Sequence, residues 1–251
     1  MLSISLLTSC QHELDTFNEN PNDPITTSPS LLLATMEVST FSTHTSGLVR
    51  NSSIFSQNLA GTSVGQMGEI AMYIISENDV VNDWNTIYTT TLMSGHILNR
   101  DFKNDYPHYN GIGQVLTALN LSYATDNWGD VPYDEAFRAD EGKIAPKYNT
   151  QEEIYKRLQS ILDDAIVNLK KPASANLSVP STDDFIFKGD TKKWLKIAYV
   201  LKARFALRLS AVDPTAAQKA LAHLANSGIN SIADDAKCFF PGTANGLNQW
   251  Y

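Results

Sequence analysis

Residues 125–137 read TDNWGDVPYDEAF, with four carboxylates and three aromatic rings around one Gly and one Pro. Two chemistries are open to such a stretch. A glycosidase needs two carboxyl groups about 5–10 Å apart, and Asp126 with Asp130, or Asp130 with Glu135, could meet that spacing. Asp126, Asp130 and Asp134 could also gather around a calcium ion, although the dense alternation of oxygen ligands in an EF-hand loop is missing. The third possibility is structural. Trp128-Gly129 ends a helix, with the Gly in a left-handed conformation. Pro132 forces Val131 to be extended. Asp134 caps a short turn through Ala136 and Phe137, and Trp128, Tyr133 and Phe137 pack between helices.

A second polar and aromatic concentration lies at residues 70–85. Tyr73, Glu77, Asn78, Asp79, Asn82, Asp83, Trp84 and Asn85 combine flat rings with amides and carboxylates, the groups that hold a sugar. Tyr73, Asn78, Asp79 and Trp84 are the candidate ligand contacts. Trp84 has a competing reading as a core residue, because Tyr88 follows four residues on. Asn51, Gln57, Asn58 and Gln66 form a polar stretch that could line the same face.

The elements that must position these groups are helices. Ser28-Pro29 is an N-cap followed by Pro at the first helical position. Thr150-Gln151-Glu152-Glu153 is a capping box, followed by a stripe of Ile154, Leu158, Ile161, Leu162, Ala165, Ile166 and Leu169. Further stripes run through Trp84, Ile87, Tyr88, Thr91, Leu92 and Leu98, and through Ile112, Val115, Leu116, Leu119 and Tyr123. Another joins Trp194, Leu195, Ala198, Leu201, Phe205 and Leu209. Asp213-Pro214 opens a last helix that Gly228 ends. Residues 179–186 and 238–240 are expected to be short extended pieces. The fold class is all-α, an array of helix pairs with long loops at 70–82, 127–146 and 169–189.

The chain has 251 residues, 43% hydrophobic, with a formal net charge of -8. That balance disfavours nucleic acid, which requires clustered cations. Lys192, Lys193, Lys196, Lys202, Arg204 and Arg208 fall at helical spacing and are read as one solvated face. The two cysteines, Cys10 and Cys238, form no CxxC pair and the five His are scattered, so no zinc site, other metal or cofactor is expected.

The N-terminus carries an address. Leu7-Thr8-Ser9-Cys10 has the form of a bacterial lipoprotein cleavage box, with Cys10 as the lipid attachment point. Residues 1–10 read as the end of a signal peptide, 11–30 as a polar flexible tether, and 31–251 as the helical domain. Trp250 and Tyr251 end the chain after a turn-rich stretch and are read as core residues of a fold that continues beyond it.

Taken in order, several stretches share one pattern. They are the box at Cys10, Phe17-Asn18-Glu19-Asn20-Pro21, Trp84 with Tyr88, and the block through Asp126, Trp128, Gly129, Asp130, Pro132 and Tyr133. Pro146-Lys147-Tyr148-Asn149 follows, then Gly189-Asp190 with Trp194. This order resembles the SusD/RagB family of outer-membrane nutrient-binding lipoproteins, in its SusD-like branch, over essentially the whole chain. The chain is shorter than family members usually are, and it carries Ala198-Tyr199-Val200-Leu201 where the family often has an Asn-Ser-Leu run. The resemblance implies a tetratricopeptide-like helical scaffold and a lipid anchor at the surface of a Bacteroidetes-type bacterium. It implies a SusC-like TonB-dependent barrel transporter as partner and an oligosaccharide, or a peptide, as ligand, with no catalysis. With it, the structural reading of residues 125–137 is preferred over a surface glycoside hydrolase.

Overall fold

The computed structural model describes residues 27–62 and 64–242; the lipobox at Cys10, most of the tether, and Trp250 and Tyr251 lie outside them. The first helix, α1 (Pro29–Thr45), starts where the sequence expects it: the Ser28 hydroxyl accepts the Leu31 N–H and Pro29 occupies the first helical position. After α2 (Gly47–Phe55) and a short α3 (Gln66–Ala71) the chain turns through a 3-10 turn at Glu77–Asp79. Then α4 (Val81–Asn85) runs on as a π-helical segment (Thr86–Leu92) and as α5 (Met93–Asp101). The expected stripe from Trp84 to Leu98 is therefore one continuous helical rod with a widened middle. There the hydroxyls of Ser39 and Thr91 meet at 2.6 Å, tying the π-helical segment to α1.

The longest helix, α6 (Pro107–Trp128), is the hub: it packs against α1, the π-helical segment, α5 and α7 (Gln151–Leu169). Two glycines let it approach closely. A Cβ on Gly113 would stand 2.5 Å from Leu98 Cδ2, and one on Gly111 2.8 Å from Leu169 Cγ. Next come α8 (Thr191–Arg208) and α9 (Ala216–Ser227), each packed on its predecessor, so the second half is a run of paired helices. The main core runs from Leu33 and Met36 through Ile87, Leu116 and Leu158 to Trp194 and Phe205, and a smaller cluster of Ala203, Ala206 and Ala220 joins α9 to α8. Each large side chain of the main core, fully removed from water, contributes about 1.5–3 kcal/mol.

Three expectations are corrected. Residues 179–186 and 238–240 pair into no strand; the one ladder among the described residues joins β1 (Val131–Pro132) to β2 (Tyr148–Asn149), antiparallel, with Val131 opposite Asn149. The reason at 179–186 is Asp184, whose carboxylate takes the Ile186, Phe187 and Gly189 N–H groups that a strand would have offered to a neighbour. The last helix begins at Ala216 rather than at Asp213-Pro214, because Asp213 Oδ1 accepts both the Thr215 N–H and its hydroxyl and holds a turn. Gly228, at φ +61°, ends that helix as expected. The basic residues of α8 are not one solvated face. Packing by both α7 and α9 leaves Lys202 only 5% exposed, its ammonium 2.7 Å from Asp163, while Lys196 reaches Asp234 at 2.8 Å.

Candidate functional site

The corner after α6 is built by hydrogen bonds that only its own residue types supply. Gly129 takes φ +73° and ψ -115°, a positive φ outside the left-handed helical region, which a side chain resists. Its N–H donates to Thr125 O at 2.9 Å, and the Thr125 hydroxyl donates back to Gly129 O at 2.7 Å. Val131 is fully buried in the ladder, Pro132 O accepts the Tyr88 hydroxyl at 3.0 Å, and Asn149 Oδ1 accepts the Tyr133 and Asp134 N–H groups. Trp84 stacks on Tyr88 at 4.3 Å and meets the edge of Trp128 at 5.2 Å, while Tyr88 stacks on Phe137 at 6.1 Å. Phe137 sits at φ +64°, a conformation that costs a bulky side chain roughly 1–2 kcal/mol.

Each acid of the corner is engaged as an acceptor. Asp126 accepts the Tyr155 hydroxyl at 2.6 Å and pairs with Arg208. Asp130 Oδ1 accepts the Gln151 N–H at 2.9 Å, placing negative charge at the start of α7. Asp134 does not cap the turn through Ala136 and Phe137; Arg157, in the second turn of α7, draws its carboxylate away at 2.9 Å, with Asn149 beside it. Glu135 Oε2 accepts the Lys147 N–H, and that bond holds its carboxyl below the usual range. A glycosidase acid must instead have its proton held more tightly. Among the described residues no group of three or more His, Cys, Asp or Glu is arranged to hold a metal ion.

The second block, Gly189, Asp190 and Trp194, closes the loop before α8. Gly189 is at φ +83°, and a Cβ there would lie 2.0 Å from Pro180 O. Asp190 caps α8 by accepting the Lys192 and Lys193 N–H groups. Trp194, 1% exposed, donates its indole N–H to Asp184 Oδ2 at 2.8 Å and meets Phe187 edge to face. Asp184 is fully buried and so gathers four donors. Beside it, Glu37 of α1, also fully buried, accepts the Phe185 N–H at 2.7 Å. Burial first, then the charge of Asp184, pushes its carboxyl up to about 9. Sequence reasoning missed both acids; the available signal was Glu37 sitting on the apolar face of α1 between Leu33, Met36 and Thr40.

The four candidate ligand residues divide. Tyr73 is 61% exposed, its ring parallel to Phe55 at 5.7 Å and 5°, its hydroxyl donating to Phe55 O at 3.3 Å. The pair forms an outward-facing aromatic ledge. Met72, Ile74 and Ile75 beside it are also exposed. Asn78 lies exposed on the 3-10 turn. Asp79 closes that turn, accepting the Ser76 N–H and hydroxyl and the Gln66 amide at 2.6 Å; the Gln66 bond is the main reason its carboxyl is lowered. Asn51 joins the same loop, donating to Asp79 O. Trp84 is set apart, half-buried in the aromatic row of the corner.

Residues 21–251 match the model of a family described as SusD-like, starch-binding and associating with the outer membrane. No match is found among curated proteins. Several solved structures are similar over most of the chain. A SusD/RagB family protein from Bacteroides thetaiotaomicron superposes with a TM-score of 0.71 at 27% identity over 84% of this chain. A chitin-binding protein does so at 0.67 and 25% over 83%, and a SusD homologue from Bacteroides uniformis at 0.66 and 25% over 84%. The chain spans 45–46% of the length of these three structures.

Proposed function

The chain belongs to the SusD-like family, and from that premise we propose that it captures an oligosaccharide at the cell surface and delivers it, unmodified, to a SusC-like TonB-dependent barrel transporter. The observation that carries the reading is the ledge of Tyr73 on Phe55, exposed and bordered by the turn that holds Asn78 and Asp79. A flat ring of this kind covers the C–H face of a sugar, and amide and carboxylate groups nearby take its hydroxyls. The non-catalytic reading is supported by the corner acids, each already committed to a donor. Cys10 is the proposed lipid anchor, holding the protein at the outer membrane; no helix among the described residues is long and apolar enough to cross one.

Peptide capture is the second reading, favoured by the exposed Met72, Ile74 and Ile75 around the same ledge. Calorimetric titration of the chain lacking residues 1–10 against starch oligosaccharides, chitin oligosaccharides and a peptide mixture separates the two. Saturable binding of an intact oligosaccharide is expected; binding of peptides alone would replace the first reading by the second. Copurification of a barrel transporter with the lipidated protein from outer membranes tests the partner, and its failure under conditions that retain other outer-membrane complexes would remove that part.

A further inference from the structure

Behind the corner lies a cavity of about 350 Å³, bounded by α5, α6, α7 and the turn that carries Tyr133 to Arg138. That volume is at the small end of the ~300–1,000 Å³ range of small-molecule sites. Thr117 of α6 lines it, 7% exposed, and its hydroxyl makes no hydrogen bond with any described residue. Its oxygen opens onto the cavity, where solvent or a ligand can bond it. Gly95 opposite lets Thr117 pack close at the cavity edge, since a Cβ there would stand 2.3 Å from Thr117 Oγ1. Ser160 and Asp164, one helical turn apart on α7, face the same cavity and likewise make no hydrogen bond or ion pair with a described residue. The Phe137 ring supplies an apolar wall, backed by Tyr88 and flanked by His96 at 5.7 Å.

The charge pattern selects the ligand class. Two guanidinium groups border the cavity, but both are engaged: Arg157 grips Asp134 with two nitrogens, at 2.9 and 3.0 Å, and Arg138 holds Glu141 in the same way. His96 has its pKa lowered, first by burial, which favours its neutral form. The charge left without a partner is therefore the Asp164 carboxylate, which repels anions and accepts hydroxyl donors. We propose that this cavity is a second ligand site, separate from the Tyr73 ledge, that takes one neutral, hydroxyl-rich ring of monosaccharide size. Phe137 covers an apolar face of the ring, and Asp164, Ser160 and Thr117 take its hydroxyls. A carboxylate accepting from sugar hydroxyls forms charge-assisted bonds, the stronger kind. The site stands whether or not the ledge binds anything.

The test is ligand-observed saturation-transfer NMR and calorimetry on the chain lacking residues 1–10, with glucose, galactose, xylose, N-acetylglucosamine and inorganic phosphate as probes. At least one neutral sugar is expected to bind saturably at one site. Thr117→Val, close in shape and without the hydroxyl, and Asp164→Asn, on an exposed position, are each expected to raise its Kd at least tenfold with an unchanged Tm. Should Thr117→Val fail to fold, Asp164→Asn carries the test alone. Tyr73→Ala is expected to leave this Kd unchanged while weakening oligosaccharides at the ledge. Absence of any saturable sugar binding overturns the proposal. So does binding of phosphate in place of sugars, or sugar binding lost in Tyr73→Ala and retained in the two cavity variants.

Discussion

Among the described residues, the Asp184 side chain accepts the most hydrogen bonds, four. Its two oxygens hold three backbone N–H groups and the Trp194 indole in a fully buried setting. Trp194→Phe keeps most of the packing and removes one donor, so it is expected to cost about 1–3 kcal/mol in urea unfolding. Glu37 makes a different contribution. With its carboxyl pushed up to about 9 against 4.5 in the unfolded chain, the folded protein binds one more proton than the unfolded one between those values. Stability from this group is complete below pH 4.5 and is lost as pH rises towards 9, at about 1.4 kcal/mol per pH unit at most. Glu37→Gln, which stays neutral, is expected to flatten that decline. Its Tm should exceed that of the wild type at pH 8 and match it at pH 4; equal pH profiles would show that Glu37 ionises freely in the fold. Asp184 was not legible in the sequence, because a buried carboxylate with its donors already in place looks, as a letter, like any solvated Asp; Glu37 left one trace, its place on the apolar face of α1.

At the scale of elements, the helices were legible wherever caps and apolar spacing agreed. Thr150 is the clearest case: its hydroxyl accepts the Glu153 N–H, and Glu153 accepts the Thr150 N–H in return. Thr150→Ala is expected to cost about 0.5–2 kcal/mol, read as a lower urea midpoint with an unchanged m-value. Gly189→Ala is expected to cost about 3 kcal/mol or more, since the positive φ and the contact with Pro180 O act together; a loss below about 1 kcal/mol would mean the loop before α8 can rearrange. The π-helical segment and the two-residue ladder carry no periodic signature and were invisible for that reason. Lys202 was misplaced because spacing along one helix says which residues share a face, and not which neighbour covers it. Trp84 and Tyr73 lie eleven residues apart in one polar, aromatic stretch. Tertiary contacts alone send one into the aromatic row of the corner and leave the other outside on Phe55.

At the scale of the whole molecule, caps and apolar spacing carried the all-α array of helix pairs, and the ordered blocks from the Asp126 corner to Trp194 carried the family. Those blocks sit where the fold is most constrained, which explains why they identify the scaffold and are silent on its ligand. The proposed ligand face is made of loop residues whose chemistry is common and whose arrangement is local. The central claim, that the chain captures a glycan on the Tyr73 ledge without altering it, is tested most directly by one titration. Starch and chitin oligosaccharides are titrated into the chain lacking residues 1–10 and into its Tyr73→Ala variant, and every sample is assayed afterwards for new reducing ends. Saturable binding of an intact oligosaccharide, weakened at least tenfold, about 1.4 kcal/mol, by Tyr73→Ala, is the expected result. Release of reducing sugar, or binding that Tyr73→Ala leaves unchanged, would contradict it.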